Sequence, residues 1–287
     1  MKCWLLGLSC MMLSGALMAA GPAAVRKRVQ ASMLVTGTID VAPNGHVAGY
    51  ALDHPDKLPA TVRDLLGKAI PHWAFEPVTV NGQPVIARSP MSVRVVAQPL
   101  ADGRYSITVA GAAFGHGADG SGRTLVTKHR VTPLYPREAL KARVAGKVYV
   151  LVRVDRQGQV AEALARQVNL RVIAGDRDMA RWREVLARAA LNAIRHWTFT
   201  PPTVGKAAIA PYWQATVPVN FSLRGWGVPR AEGRPSYGQW QPYVPGPVQQ
   251  APWVDRRMLA GSADAVPGSG LFQADPMLHL RTALGGS

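Results

Sequence analysis

IRHWTFTPPTV, at Ile194–Val204, repeats a frame that occurs earlier in the chain as IPHWAFEPVTV, at Ile70–Val80. Both copies read I-x-H-W-x-F-x-P-x-T-V, and each ends an apolar helical pattern because a helix cannot continue through its prolines. A second repeated pair lies upstream, where VAPNGHV (Val41–Val47) and VDRQGQV (Val154–Val160) both read V-x-x-x-G-x-V. That pattern is typical of two strands joined by a glycine turn. Because both frames recur in the same order, the sequence predicts an internal repeat.

The second copy shows the predicted elements most clearly. GKVYVLVRVD (Gly146–Asp155) alternates valine with other residues, which indicates a half-buried strand. RWREVLARAALNAIRHW (Arg181–Trp197) carries an apolar helical stripe, and IAPYWQATVPVNFSL (Ile209–Leu223) returns to the two-residue period of a strand. The first copy follows the same order with one more strand. The sequence therefore predicts an α+β fold of two β-β-α-β modules, each a small antiparallel sheet with helices packed on one face.

The aromatic residues of the repeated frame are predicted to close the core of each module. A Trp and a Phe two positions apart point to the same side of an extended segment, so they can cover the core where the helix ends. The predicted structural core residues are Trp73, Phe75, Trp197 and Phe199. A histidine precedes each Trp, but neither has a second ligand at metal-binding spacing, so no metal site is predicted.

The first twenty residues have the anatomy of a secretory signal peptide. Lys2 supplies a positive charge, Trp4–Met18 is an uncharged apolar run, and small residues follow at 19–21. The alternative is an uncleaved membrane anchor, although the apolar run is shorter than the ~20 residues of a spanning helix. Cys3 and Cys10 both lie in this segment, so cleavage would leave an exported chain without thiols.

The chain has 287 residues and a formal net charge of +16, with the basic excess concentrated in residues 121–224. Predicted export argues against nucleic acid as the partner and favours acidic protein segments or lipid head groups of a bacterial envelope. Basic residues cluster where the second module begins, either as a solvated face or as a binding surface. They are Lys128, Arg130, Arg137, Lys141, Arg143, Lys147, Arg153 and Arg156. Membrane contact is expected only through this basic face or an uncleaved N-terminus.

The region Thr132–Leu223 resembles the periplasmic C-terminal domain of the TonB family of energy transducers. The resemblance rests on P-x-Y-P-x-x-A beginning at Pro133, the G-x-V-x-V-x-V-x-x-x-G-x-V pattern of Gly146–Val160, A-x-x-x-W-x-F-x-P ending at Pro201, and the closing VPVNFSL. Their order and spacing are more specific than any one of these pieces. The upstream module is interpreted as a degenerate copy that lacks the Tyr-Pro lead-in.

The resemblance implies a domain that binds envelope proteins, such as TonB-dependent outer-membrane receptors, by adding the partner's strand to its own sheet. It also implies a role in energy-dependent transmembrane transport, a periplasmic location, no cofactor and no enzymatic activity. The protein would be anchored in the inner membrane if the N-terminal segment were retained. The chain differs from the family pattern because a Gly-rich segment, and not a long Pro-rich spacer, precedes the matching region.

The strand Ile209–Leu223 is the main candidate for partner binding. Pro218 cannot donate a ladder hydrogen bond, so it suits an edge strand. There it either tolerates an added peptide strand or guards the edge against pairing. The predicted partner-binding residues are Gln214, Thr216, Val217, Val219, Asn220 and Phe221 on this strand, with Thr132 and Tyr135 upstream.

The predicted organisation has five parts: a signal peptide or anchor (1–20), a degenerate TonB-like module (31–114), a Gly-rich linker (115–127), a TonB C-terminal-like domain (128–224) and a Pro/Gly-rich disordered tail (225–287). GHGADG, at Gly115–Gly120, fits a dinucleotide-binding fingerprint, but no helical pattern follows it, which favours a linker.

A different function also fits these patterns. The chain could be a periplasmic structural or assembly module whose paired domains self-associate, as a homodimer for example, without energy transduction. A hydrolase has no motif to support it, because G-x-S-x-G, H-E-x-x-H and paired carboxylates near a histidine are missing from the sequence. No catalytic, cofactor-binding or metal-binding residue is therefore predicted.

Overall fold

The computed structural model describes residues 30–118, 120–223, 237–254, 262–268, 270–274 and 278–284. The predicted signal peptide and both cysteines lie outside these residues. Within the described ranges, every helix is too short or too polar to cross a membrane.

The N-terminal half forms one antiparallel sheet with a helix on one face. In chain order its elements are β1 (Gln30–Val41), β2 (Val47–Leu52), α1 (Ala60–Ala69), β3 (Thr79–Val80), β4 (Gln83–Pro84), β5 (Ala87–Pro99) and β6 (Tyr105–His116). Strands β2, β1, β5 and β6 lie side by side in that order, and β3 and β4 form a separate short hairpin. In this half β1, β2, α1 and β5 follow one another in β-β-α-β order, with the β3–β4 hairpin between α1 and β5 and strand β6 after it.

The second half forms a three-stranded antiparallel sheet with a longer helix. Its elements are β7 (Val126–His129), α2 (Arg137–Lys141), β8 (Gly146–Val154), β9 (Val160–Leu170), α3 (Asp176–Ile194), β10 (Thr198–Thr200) and β11 (Trp213–Phe221). The sheet order is β11-β8-β9, and β7 pairs with β10 outside it. The helix begins at Asp176, before the predicted Arg181, because acidic residues in its first turn favour a helix N-terminus. The predicted α+β class with antiparallel sheets is confirmed.

Each helix packs on one face of its own sheet. Val148, Val150 and Val152 of β8 are buried together with Leu186 and Ile194 of α3. The corresponding core in the N-terminal half joins β1 and β5 to α1. All four aromatic residues of the repeated frame are buried in these cores. The H-W-x-F frame therefore lies where each helix ends and its core is closed.

In each half, the glycine turn of the V-x-x-x-G-x-V frame contacts the H-W-x-F frame of the same half, and the contact is the same in both halves. Gly45 and Gly158 occupy the turns between the first two strands of each sheet, with φ of 84° and 78°. Their carbonyls accept hydrogen bonds of 2.8 Å from the backbone N–H groups of Phe75 and Phe199, respectively. A Cβ atom at either glycine would lie within 2.3 Å of the phenylalanine carbonyl oxygen. Only glycine suits both the positive φ and this close approach.

Several described segments of the C-terminal region (residues 225–287), which was predicted to be disordered, are ordered and pack against the two sheets. Strand β12 (Gln241–Tyr243) pairs with the start of β1, and Val244 exchanges hydrogen bonds with Leu170 of β9. Strand β13 (Gln273–Ala274) pairs with β6. Short extended segments that cover an existing sheet need no periodicity of their own, so the periodicity of the sequence does not predict them.

Pairing with β13 also changes the predicted linker boundary. Strand β6 continues to His116, and Gly115 and His116 are the residues that pair with β13. The other end of the predicted 115–127 linker is in β7, which begins at Val126. The linker is therefore shorter than its Gly-rich sequence indicated.

We predict that Gly158→Ala lowers the free energy of unfolding by more than about 2 kcal/mol, because it adds a backbone clash to the cost of a positive φ. Gly103→Ala is the matched control. Gly103 has a similar φ of 81°, but no described atom lies within 4 Å of a Cβ there. Its loss should be about 1 kcal/mol. Equal losses in urea unfolding would contradict the importance of the contact with Phe199.

Candidate functional site at the outer edge of strand β11

Strand β11 is the last strand of its sheet, so it has one paired side and one outer side. It pairs with β8 along its whole length, from Trp213 opposite Val154 to Phe221 opposite Gly146. In an antiparallel strand the N–H and C=O groups of one residue point to the same side, and successive residues alternate between sides. The outer side is therefore the place where a further strand could be added.

The residues that face outward are identified by their hydrogen bonds. Thr216 donates its N–H to the Phe272 carbonyl at 2.7 Å and accepts from the Phe272 N–H at 2.9 Å. By alternation, Gln214, Pro218 and Asn220 direct their backbone groups to the same side. We call the backbone groups of these four residues the β11 edge. Pro218 contributes only a carbonyl to it, so its donors lie at the other three positions.

Three of the predicted partner-binding side chains do not reach the surface. Val217, Val219 and Phe221 are buried in the core beneath α3. They alternate with the outward-facing residues, so their side chains point to the helix-covered face and cannot contact a partner of the folded domain. Their predicted role as contact side chains is wrong.

The remaining predicted residues of β11 lie on the face opposite the helix. Thr216 is buried by its contact with the C-terminal region, and Gln214 is half-buried. Asn220 is exposed, and its Nδ2 lies 3.4 Å from the carbonyl oxygen of Gly268. Asn220 is thus the predicted residue whose side chain is best placed to meet another molecule.

Thr132 and Tyr135 line a groove of about 380 Å³ between the segment before α2 and helix α3. Tyr135 donates its hydroxyl to the Val144 carbonyl at 2.5 Å, and its ring packs edge-to-face on Phe221 with centroids 5.5 Å apart. Burial raises the pKa of the Tyr135 hydroxyl, which therefore stays a donor. Leu134 is 87% exposed at this groove. Tyr135 thus holds the end of β11, and exposed Thr132 lines the same groove.

A buried polar cluster lies between the two sheets, on the face of β8 opposite α3. Arg94 of β5 is 8% exposed and Asp264 of the C-terminal region is 1% exposed, with Nε and Oδ2 4.0 Å apart. Asp264 Oδ2 also accepts from the Tyr243 hydroxyl at 2.7 Å and from Asn169 Nδ2 at 2.6 Å. Arg94 in turn donates to the Tyr149 hydroxyl at 3.2 Å. This cluster connects both sheets with the C-terminal region.

Sequence reasoning missed this cluster. Arg94 stands among valines in SVRVV, and a charge in an apolar strand was a local hint of a buried partner. Asp264 lies in the region predicted to be disordered, so nothing in the sequence connected the two residues. The same holds for Phe272, which pairs with Thr216 from far along the chain.

Lys147 lies beside this cluster and is not part of a solvated face. Burial is the main cause that lowers its pKa to about 8; the charges of Arg94 and Arg171 act in the same direction, and Asp264 opposes them. Burial likewise raises the pKa of the neighbouring Tyr149 hydroxyl to about 12. The charged form of Lys147 is therefore disfavoured in the folded protein.

Other members of the predicted basic cluster are also engaged within the chain. Arg130 lies over the Trp197 ring at 4.8 Å, and Arg153 pairs with Glu162 at 2.6 Å. Arg156 donates to the Ile209 carbonyl at 2.8 Å. These three arginines are therefore held by contacts within the chain, and the two alternatives for the basic cluster, a solvated face or a binding surface, stay predictions.

The arrangement of the site favours recognition of a partner by backbone hydrogen bonds over coordination of an ion. Among the described residues, no three His, Cys, Asp or Glu side chains come together as a metal site would need. What the site offers is a row of outward backbone donors and acceptors on β11, with a polar, partly covered face behind it. Such an edge accepts an extended peptide.

Residues 131–223 match the model of the family described as the Gram-negative bacterial TonB protein C-terminal. Residues 131–223 thus resemble the C-terminal domain of TonB proteins. Over 104 residues the chain is 34% identical to Protein TonB from two strains of Xanthomonas campestris pv. campestris. The alignment covers 36% of this chain and 40% of each relative, so the chain spans less than half the length of these TonB proteins. No solved structure matches the chain.

The resemblance to TonB predicted for Thr132–Leu223 is thereby confirmed. The match includes β8, β9, α3 and β11, and therefore the whole β11 edge. The N-terminal sheet and the C-terminal region lie outside the matched residues. In this chain the TonB C-terminal-like domain is thus packed against parts that the match does not cover.

We predict that Lys147→Met stabilises the protein at pH 7 by up to about 3 kcal/mol. The ordinary pKa of 10.5 falls to about 8 in the folded protein. Below pH 8 both states hold the proton, and folding carries the full cost of burying the charge. Between pH 8 and 10.5 the unfolded state binds more protons, so stability of the unsubstituted protein rises with pH and the advantage of the variant shrinks.

Denaturant unfolding at a series of pH values measures this difference. Lys128→Met is the control, because Lys128 is exposed on β7 and its loss should change stability little at any pH. A difference between the Lys147 variant and the unsubstituted protein that stayed constant from pH 7 to 10.5 would contradict the burial argument.

We also predict that Asp264→Asn costs about 3 kcal/mol or more, because it leaves the buried Arg94 guanidinium without a compensating charge. The matched control is Asp102→Asn, since Asp102 pairs with Arg104 at the surface and its loss should have little effect. Thermal unfolding by circular dichroism checks both variants. Equal stability of the two would show that Asp264 does not hold the cluster together.

Proposed function

We propose that this chain is a TonB-like periplasmic protein that binds envelope proteins, including outer-membrane receptors, by strand addition at the β11 edge. Its role would be in energy-dependent transmembrane transport. The observation that carries this proposal is the pair of hydrogen bonds between Thr216 and Phe272, 2.7 and 2.9 Å long. Since one extended segment already pairs with this edge, the edge has the geometry that an added strand requires.

The position of the edge supports the same proposal. Strand β8 fixes β11 on its inner side over nine residues, so the outer backbone groups are held in strand geometry before a partner arrives. A rigid template lowers the ordering cost of binding. Pro218 removes one donor, which limits indiscriminate pairing with other strands.

The charge of the chain suits an acidic partner segment. The formal net charge of +16 would attract a negatively charged peptide over a distance of about a Debye length before contact. Electrostatic steering of this kind affects the association rate more than the final affinity. It is compatible with a periplasmic location, with the N-terminal segment acting as a cleaved signal peptide or as a membrane anchor.

We infer that the N-terminal half, residues 31–114, is a degenerate copy of the TonB-like domain. The strand order β5-β1-β2 corresponds to β11-β8-β9, and a helix follows the second strand in both. The contacts between Gly45 and Phe75 and between Gly158 and Phe199 have the same length and polarity. These shared contacts support the inference, because they join the repeated sequence frames themselves.

A structural role has one observation in its favour. Arg94 of the first sheet donates to Tyr149 of the second, so the two halves bind each other through the faces opposite their helices. An assembly module could use the same faces or edges to form a homodimer without energy transduction. Partner capture distinguishes the two functions.

We predict that a photo-crosslinking amino acid at Asn220, in the intact chain in a Gram-negative envelope, forms adducts with an outer-membrane protein. Asn220 is exposed beside the β11 edge. Glu184 is the matched control, because it is exposed on α3 away from that edge. Mass spectrometry of the adducts measures the outcome.

Adducts from position 220 but not 184 support strand addition to an envelope protein. A second copy of this chain as the product at position 220 would favour the assembly module instead. Equal yields at both positions would contradict any specific role of the β11 edge.

A further inference from the structure

The C-terminal region follows the β11 edge at two points. Phe272 pairs with Thr216 through both backbone hydrogen bonds, and the Gly268 carbonyl lies 3.4 Å from Asn220 Nδ2. Gly268 contacts Asn220, whereas Phe272, later in the segment, pairs with Thr216, earlier in β11. The segment therefore runs antiparallel to β11. A short stretch of the chain itself therefore occupies the position that an added strand would take.

Phe272 anchors this segment. Its side chain is 6% exposed and packs in a small cluster with Tyr149 of β8 and Ala113 of β6. Ala265 and Val266 of the same C-terminal region complete that cluster. The hydrophobic contact lies on the face of β8 opposite α3, behind the edge. Beside the β11 edge, opposite Thr216, there is thus a pocket that holds one large apolar side chain.

The pairing is short. After Phe272 the segment leaves β11, since Gln273 and Ala274 pair with His116 and Gly115 of β6. Among the described residues, Thr216 is the β11 position whose outward N–H and C=O both pair with backbone. Gln214 and the Pro218 carbonyl on either side retain their outward orientation. A longer strand could therefore make more ladder bonds at this edge than the internal segment makes.

We propose that the segment around Phe272 is an internal ligand of the β11 edge, which a partner strand displaces by placing its own large apolar residue opposite Thr216. This inference rests on the proposed function, because it specifies the partner of the same edge. The partner is an extended peptide that exposes an aromatic or large aliphatic side chain to the Tyr149 face. It need not offer a hydrogen-bond acceptor opposite Pro218, which has no N–H.

Tethering makes the internal segment an effective competitor. A segment of the same chain acts at an effective concentration of about a millimolar, so a free peptide of equal intrinsic affinity binds poorly while the segment is seated. Removing the Phe272 anchor should release the edge. We predict that Phe272→Asp increases the affinity for a peptide ligand by about tenfold or more, the factor expected from losing one buried aromatic side chain.

The probe is a fluorescent synthetic peptide with the sequence of residues 266–274, VPGSGLFQA, added to the full-length chain. Fluorescence anisotropy compares the unsubstituted protein with Phe272→Asp. Val254→Asp is the control variant, because Val254 is also a buried residue of the C-terminal region but packs against Leu151 in a separate cluster. A peptide with Asp in place of its Phe is the control ligand. Tight binding of the first peptide to the Phe272 variant alone supports the proposal.

A disulfide provides a second test that does not remove the segment. Residues directly opposite each other in a hydrogen-bonded antiparallel pair have Cα atoms about 5.5 Å apart, within the range of a disulfide. Thr216→Cys with Phe272→Cys, in a chain with Cys3→Ser and Cys10→Ser, should lock the segment on the edge. Oxidation should abolish partner crosslinking from position 220, and a reductant should restore it.

The outcomes separate this inference from the proposed function. Equal peptide affinity of the unsubstituted and Phe272→Asp proteins, or crosslinking that persists in the oxidised disulfide variant, overturns displacement but leaves strand addition intact. Tight peptide binding to Phe272→Asp without any envelope adduct at position 220 supports the internal ligand and counts against the proposed function. If Phe272→Asp does not fold, the disulfide variant decides.

Discussion

A buried charge between two sheets is the constraint on which the arrangement of this protein depends. Moving the Arg94 guanidinium out of water costs several kcal/mol, and Asp264 supplies the opposite charge that offsets it. The aspartate is itself held by Tyr243 and Asn169, and Arg94 also donates to Tyr149, so the cluster takes one residue from the first sheet, two from the second and two from the C-terminal region. Because an unpaired member would be costly, the sheets and the C-terminal region are expected to fold as one cooperative unit.

This constraint explains why strands that look half-buried in sequence are covered on both faces. The valines of β8 face α3, while Tyr149 and Leu151 on its other face are buried by the C-terminal region and the first sheet. An antiparallel sheet commonly leaves one face to solvent, and TonB-like sequence patterns predict that arrangement. Here the C-terminal region covers the second face, and in doing so it brings Phe272 to the β11 edge.

Much of the fold could be predicted because its signals are local. The glycine turn, the alternating strand and the H-W-x-F frame each specify a backbone geometry, and together they predicted the α+β order and the resemblance to TonB. The site was predicted less well. Strand alternation correctly places the side chains of Thr216 and Asn220 on the face opposite that of Val217. It does not predict that the segment around Phe272 pairs with Thr216. Contacts between Arg94 and Asp264, or between Lys147 and its neighbours, depend on long-range packing that no local period encodes.

The two roles of the C-terminal region, holding Asp264 and occupying the β11 edge, are separated by glycines. Gly268 and Gly270 lie between Asp264 and Phe272, and Gly270 has a φ of 89° that favours glycine. A partner strand that displaced Phe272 could therefore bend the chain at this point and leave the bonds of Asp264 to Asn169 and Tyr243 in place. Strand exchange at the edge would then break the Phe272 contact, its two hydrogen bonds and the Gly268–Asn220 contact, while the charge cluster between the sheets stayed closed.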